Sequence, residues 1–531
     1  MKNEKISRPN KDAIAFYTPV NVNLATYKMQ LSISDMTLSG TSIIEWTHTG
    51  DRPLQTLQIK GDYTWLTLLS HEDYGIDKDE TITVITLGNP LEHGETVVIH
   101  IGFARDFVAS PLCAGDGSVL MPKGLDGRIW YPYLAWDIQV CGHYSVEVNE
   151  PAGYRICATG ERNGDKYQQN YVRWFGLLLC KGLTYAEQPV GDVTIKAYYK
   201  HGNETAAQKL MDTSADAIAY YKELIGFYPQ HSYSFLPYSD EWWGGGNLST
   251  GIAFFHRMHE YNHAESDARP WIAAHEICHH YWGEYVLDGD DCGWLWIGLG
   301  MMMDAEYSVS RGLGDVGEKR AAQVIRYHQS GNDTTIWRSK EELRKAEQSD
   351  NDYNSIVRHS KSYCVMRMLR QTIGKEALFD IMRHILAQYA GRALRTMDFW
   401  RICEEKSGMR LDWLFTDCLH SNRLPGYEIV SIEYNSGGTA VTVKSRGDFK
   451  FPVYVEARLS GGSVMRRQFN RLMDTQTLFL DGIPKSASLS LNADGHLVSC
   501  ADKASRAPKL PGGPWWTGGH FSSRRGYKRT K

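Results

Sequence analysis

Two histidines and a glutamate near the middle of the chain form the pattern best suited to chemistry. The segment His275-Glu276-Ile277-Cys278-His279 reads H-E-x-x-H, and its alanine and aromatic flanks favour a helix. Residues four apart share one helix face, so His275 and His279 can point two imidazoles at one divalent metal. Glu276 can then act as general base on a metal-activated water, which is the chemistry of zinc peptidases. The alternative is a chance match on an exposed helix, so the surrounding sequence must decide.

Composition limits the classes of protein to be considered. The 531 residues are enough for about three domains. The net charge of −4 gives no general attraction to nucleic acid or to anionic membranes. The first twelve residues are polar, and no apolar run reaches the length of a membrane span. Ten cysteines without a C-x-x-C pair indicate free thiols in a reducing compartment. We therefore expect a cytoplasmic protein that does not enter a membrane.

The chain before the H-E-x-x-H segment changes character once. Short runs rich in Thr, Ile, Val and aromatic residues, separated by turn residues, fill most of residues 1–190. This pattern predicts an N-terminal β domain. Residues 205–225 then show helical spacing, and helical patterns dominate from 269 to 420. We expect the H-E-x-x-H segment to lie in a mainly helical domain covering residues 191–424.

The C-terminal part is predicted to contain a small domain and a tail. Leu424-Pro425-Gly426 ends the helical part, and residues 425–500 return to β patterns that predict a small β-sandwich. Residues 501–531 form a basic segment, in which Lys503–Lys531 has eight Lys or Arg and no acid. We expect this tail to be disordered and solvated; binding of RNA or of an acidic partner is the alternative. The fold class is multidomain α+β.

Several stretches together resemble the aminopeptidase N family of gluzincin zinc metallopeptidases. The resemblance covers nearly everything up to the tail, and the stretches that carry it are 144–160 (YSVEVNEPAGYRICATG), 274–283 (AHEICHHYWG), 294–298, 361–419 and 491–498. It implies a saddle-like β-sheet N-terminal domain, a thermolysin-like mainly α catalytic domain and a small β-sandwich C-terminal domain. It also implies one zinc ion bound by His275 and His279, with Glu276 catalytic.

The chain departs from this family at three positions of the site. The family's third metal ligand is a Glu about nineteen residues beyond the second His, where this chain has Gly298, or Ile297 with a loop one residue shorter. The family's amine-binding Glu matches Leu248. Its Tyr, in a Tyr-x-Lys-Gly pattern, matches His359. Without an acid for the ammonium, selection of a free N-terminus loses its main electrostatic anchor.

Other residues are expected to fill some of these roles. We predict His359 to be catalytic by stabilising an oxyanion, or else to be the third metal ligand. The family's Gly-rich edge strand corresponds here to substrate-binding residues Gly244, Gly245, Gly246 and Asn247. Glu241 is disfavoured as a replacement for the amine-binding acid, since such a shift changes the strand face. Further candidates for the third ligand are Asp288, Asp290, Asp291, Cys292, Asp304 and Glu306. Helical phase predicts that Cys278 points away from the two histidines, and that His280 lies behind the ligands or on the surface.

Three functions remain open on the sequence alone. The favoured one is a divergent metal-dependent hydrolase that acts on a peptide or small amide through a metal-activated water, with zinc as the expected metal. The second is a catalytically inactive pseudopeptidase that binds a peptide or protein, since three separate site positions have changed together. The third is a metal enzyme repurposed for a non-peptidase reaction on a peptide or metabolite. Nucleic-acid binding is expected only through the tail, if at all, and the sequence does not give the oligomeric state.

Overall fold

The protein is described by a computed structural model that divides into two compact units. The described residues are 23–79, 82–109, 117–124, 129–136, 139–238, 244–262, 271–290, 292–338, 341–342, 345, 353–447, 449, 451–469, 474–492 and 494–501. The first unit comes from Met1–Asp290 and Phe379–Arg401, and the second from Asp291–Leu378 and Ile402–Lys531. Each unit is described by itself.

The first unit is rich in β-structure. Its strands β1 to β21 are Ala25–Ser34, Thr37–Thr47, Leu54–Lys60, Trp65–Leu68, Tyr74–Lys78, Ile82–Leu91, Thr96–Ala109, Val119–Pro122, Tyr133–Leu134, Gly142–Val148, Arg155–Ala158, Glu161–Asn163, Lys166–Val172, Leu177–Cys180, Thr184–Val190, Val193–Tyr199, Ser232–Pro237, Gly245–Ser249, Ile252–Phe255, Leu287–Asp288 and Ala393–Leu394. A ten-stranded sheet has the order β11-β14-β8-β7-β2-β1-β10-β13-β12, with β4 paired to β7, and a four-stranded sheet has the order β5-β6-β3-β9.

Alternation of side chains explains the N-terminal sheet. In β1, Ala25, Tyr27, Met29 and Leu31 are buried, whereas the intervening residues are at least partly exposed. β1 pairs antiparallel with β2 and parallel with β10. Because strand side chains alternate between faces, this pattern places one face of β1 in an apolar core and the other towards solvent. The predicted β-rich N-terminal region is therefore confirmed.

A five-stranded sheet and two helices position the H-E-x-x-H segment. The sheet has the order β15-β16-β17-β19-β18, so β18 is an edge strand among the described residues. Helix α1 is Glu204–Ile225, a 3₁₀ helix covers Met258–Asn262, and α2 is Trp271–Tyr281. α1 ends where Gly226 adopts a left-handed backbone with φ of 109°. α2 contacts both α1 and β18, and its residues from Ile272 to Tyr281 are all buried.

The second unit combines helices with two small sheets. Helices α3 and α4 are Trp294–Ser310 and Gly317–Gln329, a π-helix covers Tyr353–Lys361, and α5 to α8 are Ser362–Ile373, Lys375–Gln388, Thr396–Ser407 and Asp412–Leu419. Parts of α6 and α7 belong to the first unit, because that unit includes Phe379–Arg401. Strands β22 to β28 are Gly426–Asn435, Gly438–Ser445, Val453–Arg458, Val464–Phe469, Thr475–Asp481, Ser488–Asn492 and Ser499–Ala501. They form sheets of order β26-β23-β22-β28 and β25-β24-β27.

Several sequence expectations can be compared with these elements. The predicted helical region is confirmed, although strands β16 to β19 lie before its H-E-x-x-H helix, and the two C-terminal sheets agree with the predicted β-sandwich. The eight described cysteines are all buried, and none of them forms a disulfide with another described residue. Among the described residues no helix is long and apolar enough to span a bilayer. The basic tail lies outside the described residues, apart from Ala501. The four domain boundaries and the cytoplasmic location stay predictions.

Candidate active site

Helix α2 brings the two histidines of the H-E-x-x-H segment together. The Nε2 atoms of His275 and His279 are 3.2 Å apart, and their rings are nearly perpendicular, with centroids separated by 4.8 Å. Both side chains are buried. Zinc–nitrogen bonds at a tetrahedral angle place two ligand nitrogens about 3.3 Å apart. The histidine pair therefore fits two positions of one zinc ion, and the alternative of an exposed chance motif is wrong.

A cysteine joins the two histidines on this helix. Among the described residues, one group of three possible metal ligands is present: His275, Cys278 and His279, whose ligand atoms lie within 4.8 Å of one another. The expectation that Cys278 points away from the histidines is therefore wrong, although it is buried as expected. Its thiol donates a hydrogen bond to the carbonyl of His275 at 2.7 Å. Cys278 would have to give up that hydrogen bond to bind a metal.

Neither residue expected at the family's third-ligand position, Ile297 or Gly298, has a side chain that could bind a metal. Ile297 is apolar and buried. A Cβ on Gly298 would lie 2.9 Å from Cγ of Met366 and 3.1 Å from the carbonyl oxygen of Ser362. α3 and α5 therefore pack too closely for any side chain at position 298. The packing of α3 against α5 in the second unit therefore leaves no space for a glutamate at position 298.

The acids suggested as replacement ligands have other contacts. Glu306 forms ion pairs of 2.5 Å with both Arg370 and Lys375. Asp290 accepts a hydrogen bond from the Thr396 N–H at 2.5 Å, and Asp288 accepts one from the Asp290 N–H at 3.1 Å. These contacts position loops and helices, which is a structural role. Asp291 and Glu241 lie outside the described residues; Cys292 and Asp304 are buried, and their suggested roles stay predictions.

The edge strand β18 contacts the general-base candidate. A Cβ on Gly245 would lie 3.0 Å from Oε1 and 3.1 Å from Cγ of Glu276. Asn247 donates from Nδ2 to the backbone carbonyl of Glu276 at 3.1 Å. The absence of a side chain at Gly245 therefore makes room for the Glu276 carboxylate, while Asn247 fastens the strand to the helix. Three predicted site residues, Gly245, Asn247 and Glu276, therefore lie together in the first unit.

The remaining predicted strand residues have less specific contacts. Gly244 has φ of 135°, a conformation open to glycine, and its carbonyl accepts the His256 N–H at 2.9 Å. Gly246 leaves space that the ring of Phe254 fills. Leu248, which we expect at the family's amine-binding position, is buried in an apolar cluster with Ile252 and Phe254. No carboxylate is therefore presented at that position.

Replacement of Gly245 by alanine is expected to lower hydrolysis by about 10²-fold, because the new Cβ displaces the Glu276 carboxylate. The measurement is kcat on a peptide substrate, with metal content as a second readout that should stay unchanged. Gly75→Ala serves as control, since a Cβ there meets nothing within 4 Å. Equal kcat in both variants and the unchanged protein would contradict the assigned contact.

Comparison with known proteins agrees with this geometry. Residues 212–417 match the domain of peptidase family M1. This part of the chain therefore resembles a peptidase family M1 domain. The family consists of zinc metallopeptidases, so the resemblance to aminopeptidase N-like gluzincins is confirmed and a single zinc is consistent with the histidine pair.

Solved structures show the same fold over a larger part of the chain. An M1 zinc metallopeptidase from Deinococcus radiodurans is 17% identical, with a TM-score of 0.59 over 76% of this chain and 94% of that one. A variant of that enzyme bound to a Tyr-Ser-Ala substrate is 16% identical, with a TM-score of 0.58 over 76% of this chain and 95% of that one. No curated protein gave a significant match.

Sequence reasoning missed one ionisable residue beside helix α2. Glu284 is buried, and its carboxylate accepts the Gly251 N–H at 3.1 Å. Burial raises the pKa of Glu284 to about 8; Gly251 and the positive charge of Arg173 oppose the rise, and the negative charge of Glu276 adds to it. Glu284 is therefore coupled electrostatically to Glu276. Its place five residues beyond His279 was the available sequence signal.

His280 has a structural role in the M1 domain. Its Nδ1 is hydrogen-bonded to the Tyr228 hydroxyl, and its ring lies edge-on to that of Tyr233 at 5.2 Å. Burial lowers the pKa of His280 to about 3, so the imidazole is neutral near pH 7. The surface position considered from the sequence is wrong, because the side chain is fully buried.

His359 lies in the π-helix of the second unit. The next residues are held firmly: Ser360 donates to Gln323 at 3.0 Å, and Lys361 forms a buried ion pair with Asp333 at 2.9 Å. Short π-helical segments are frequent at functional sites. These contacts fix the backbone that carries His359, whose catalytic or metal-binding role stays a prediction.

Proposed function

We propose that the chain is a divergent metal-dependent hydrolase that cleaves a bond in a peptide or small amide. One arrangement carries this proposal: the Nε2 atoms of His275 and His279 lie 3.2 Å apart, and the buried Glu276 carboxylate lies next to Gly245 of an edge strand. Metal ligands, a base and a surface that accepts an extended chain thus occur within one unit. These are the parts that hydrolysis of an amide requires.

His275 and His279 would hold the zinc, with Cys278 as a further donor within reach. When bound, zinc lowers the pKa of a water molecule and polarises the carbonyl to be attacked. Glu276 accepts a proton at its carboxylate from the attacking water and passes it to the nitrogen of the departing amine. Gly245 leaves space for that carboxylate, since a Cβ at this position would lie 3.0 Å from its Oε1.

The edge strand supports a peptide as the substrate class. Extended peptides bind to sheet edges through main-chain hydrogen bonds, and β18 is an edge of the five-stranded sheet within the described part of the chain. The Oδ1 atom of Asn247 is buried and has no hydrogen-bond partner among the described residues. A buried acceptor of this kind is satisfied by an amide N–H, so we assign Asn247, with Gly244, Gly245 and Gly246, to substrate binding.

Selection of a free N-terminus is expected to be weak. Leu248 replaces the acid that would bind the substrate ammonium, and its side chain is buried among apolar residues. We expect kcat/KM for an N-acetylated peptide to lie within about tenfold of that for the free peptide, since no charge-assisted hydrogen bond is lost. The measurement is cleavage of matched free and acetylated peptides, each with and without a metal chelator.

The chelator arm tests the proposal itself. Cleavage that stops with chelator and returns with zinc supports a metal-dependent hydrolase. A preference of about a hundredfold or more for free N-termini would show that another residue replaces the amine-binding acid. Absence of cleavage of any peptide by zinc-loaded protein would contradict the proposed hydrolase.

A pseudopeptidase is the second candidate, and the packing at Gly298 favours it. Because α3 leaves no room for a ligand side chain there, the family's third metal bond is absent from this position. This candidate predicts saturable peptide binding to β18 without cleavage by zinc-loaded protein. Titration of a peptide followed by mass spectrometry of the mixture distinguishes the two functions.

A further inference from the structure

A small pocket lies in the first unit, where β11 to β13 come close to β15 and β16. Its volume is about 70 Å³, and its lining includes Arg155, Arg162, Lys196, Tyr185 and Glu187. It contains none of the residues of the H-E-x-x-H segment. Three cationic side chains and a single carboxylate among the lining residues give the pocket a net positive charge.

Lys196 is the residue that requires an explanation. It is 8% exposed, yet its ammonium forms no hydrogen bond or ion pair with any described residue. Lysine is almost never buried to this extent without a partner, because an unpaired charge loses its hydration. Burial accordingly lowers the pKa of Lys196. Lys196 is one of the residues that line the pocket.

The one carboxylate among the lining residues, that of Glu187, opposes the lowering of the Lys196 pKa by its charge, but burial is the larger effect. Glu187 is the direct cross-strand neighbour of Lys196 in the β15–β16 ladder, but the pair forms no ion pair. The Glu187 carboxylate instead accepts a hydrogen bond from the Tyr185 hydroxyl. The Glu187 carboxylate is therefore engaged by Tyr185 and leaves the Lys196 ammonium without an ion pair, although the register would allow one.

Two arginines add positive charge to the pocket, and each guanidinium lies over a tyrosine ring. The Arg155 guanidinium lies over the Tyr185 ring at 4.2 Å from its centroid, which leaves its N–H groups available at the edge of the plane. Arg162 lies over Tyr167 at 5.8 Å and pairs with Glu150 at 2.9 Å. Arg155 and Lys196 are thus the two cations of the lining without an ion pair to a described residue.

We propose that this pocket binds a small oxyanion of the phosphate class through Lys196 and Arg155. A guanidinium can donate two parallel hydrogen bonds to such an anion, and an ammonium acts as a point charge beside it. The volume corresponds to roughly five water-sized spheres, which suits one tetrahedral oxyanion and excludes a peptide. The bound anion would supply the partner that Lys196 lacks.

The test is titration of the full chain with inorganic phosphate by calorimetry at constant ionic strength, with chloride as the balancing anion. Saturable binding is expected, weakened about tenfold or more in Lys196→Met and in Arg155→Gln, since each removes a charge-assisted hydrogen bond. Lys166→Met is the control, because Lys166 is exposed on β13 and outside the pocket lining, and its affinity should equal that of the unchanged protein.

The affinities of the variants can be compared only if each variant folds. Lys196→Met retains the aliphatic volume and removes an unpaired buried charge, so it should fold, and far-ultraviolet circular dichroism checks this. If it does not fold, Arg155→Gln decides, since Arg155 is exposed. Acetate titrated in parallel should bind more weakly than phosphate; tighter acetate binding would overturn the phosphate assignment. Absence of saturable binding, or equal affinity in all variants, would overturn the pocket as an anion site.

Discussion

Replacement of Glu276 by glutamine is expected to lower peptide hydrolysis by about 10²–10⁴-fold. The glutamine keeps the size of the side chain next to Gly245 but cannot accept the proton of the attacking water. The zinc content should stay unchanged, because Glu276 is not among the three possible ligands on α2. The measurements are kcat on a peptide and elemental analysis of the same sample.

The matched control for this variant is Glu223→Gln. Glu223 is exposed on α1, and its substitution should leave both kcat and zinc content unchanged. Retention of more than about a tenth of the activity by Glu276→Gln would contradict its role as general base, since removal of such a base costs far more.

Replacement of Glu284 by glutamine is expected to stabilise the metal-free protein at alkaline pH. Burial raises the folded pKa of Glu284 to about 8 from an ordinary value of 4.5. Between these two values the folded state keeps a proton that the unfolded state has released, so the unfolding free energy contributed by Glu284 falls as pH rises. A glutamine does not ionise and avoids this loss. The difference should reach the order of 4 kcal/mol near pH 8.5 and vanish near pH 4.5.

Urea unfolding of both proteins across that pH range measures the difference. The groups that act on Glu284 are Arg173, Glu276 and the Gly251 N–H, and the substitution leaves all three in place. Glu223→Gln again serves as control and should show no pH-dependent difference. A Glu284→Gln variant that is equally stabilised at both ends of the range would contradict a raised pKa at Glu284.

Helical and strand periodicity predicted the elements of the site but not their contacts. The i, i+4 spacing of His275 and His279 predicted that the two imidazoles lie together, because the shared face depends only on helix geometry. The contact between Gly245 and Glu276 joins residues about thirty positions apart, so local patterns could not reveal it. Helical phase alone was misleading for Cys278, since the direction of its thiol depends on its hydrogen bond to the His275 carbonyl.

The altered residues were visible in the sequence, whereas their physical setting was not. Gly298 and Leu248 could be read as missing acids. Only the structure shows that α5 closes the space at Gly298 and that apolar residues surround Leu248. The raised pKa of Glu284 was also beyond sequence reasoning, because it arises from burial created by distant parts of the chain.

Elemental analysis of the purified chain, beside the His275→Ala, His279→Ala double variant, tests the central claim most directly. The account predicts about one zinc per chain in the unchanged protein and none in the double variant, because the Nε2 pair at 3.2 Å supplies two zinc bonds. No metal in the unchanged protein after incubation with zinc would contradict a metal-dependent hydrolase and leave a peptide-binding module on the M1 fold. Copper or iron in place of zinc would instead point to a different metal chemistry.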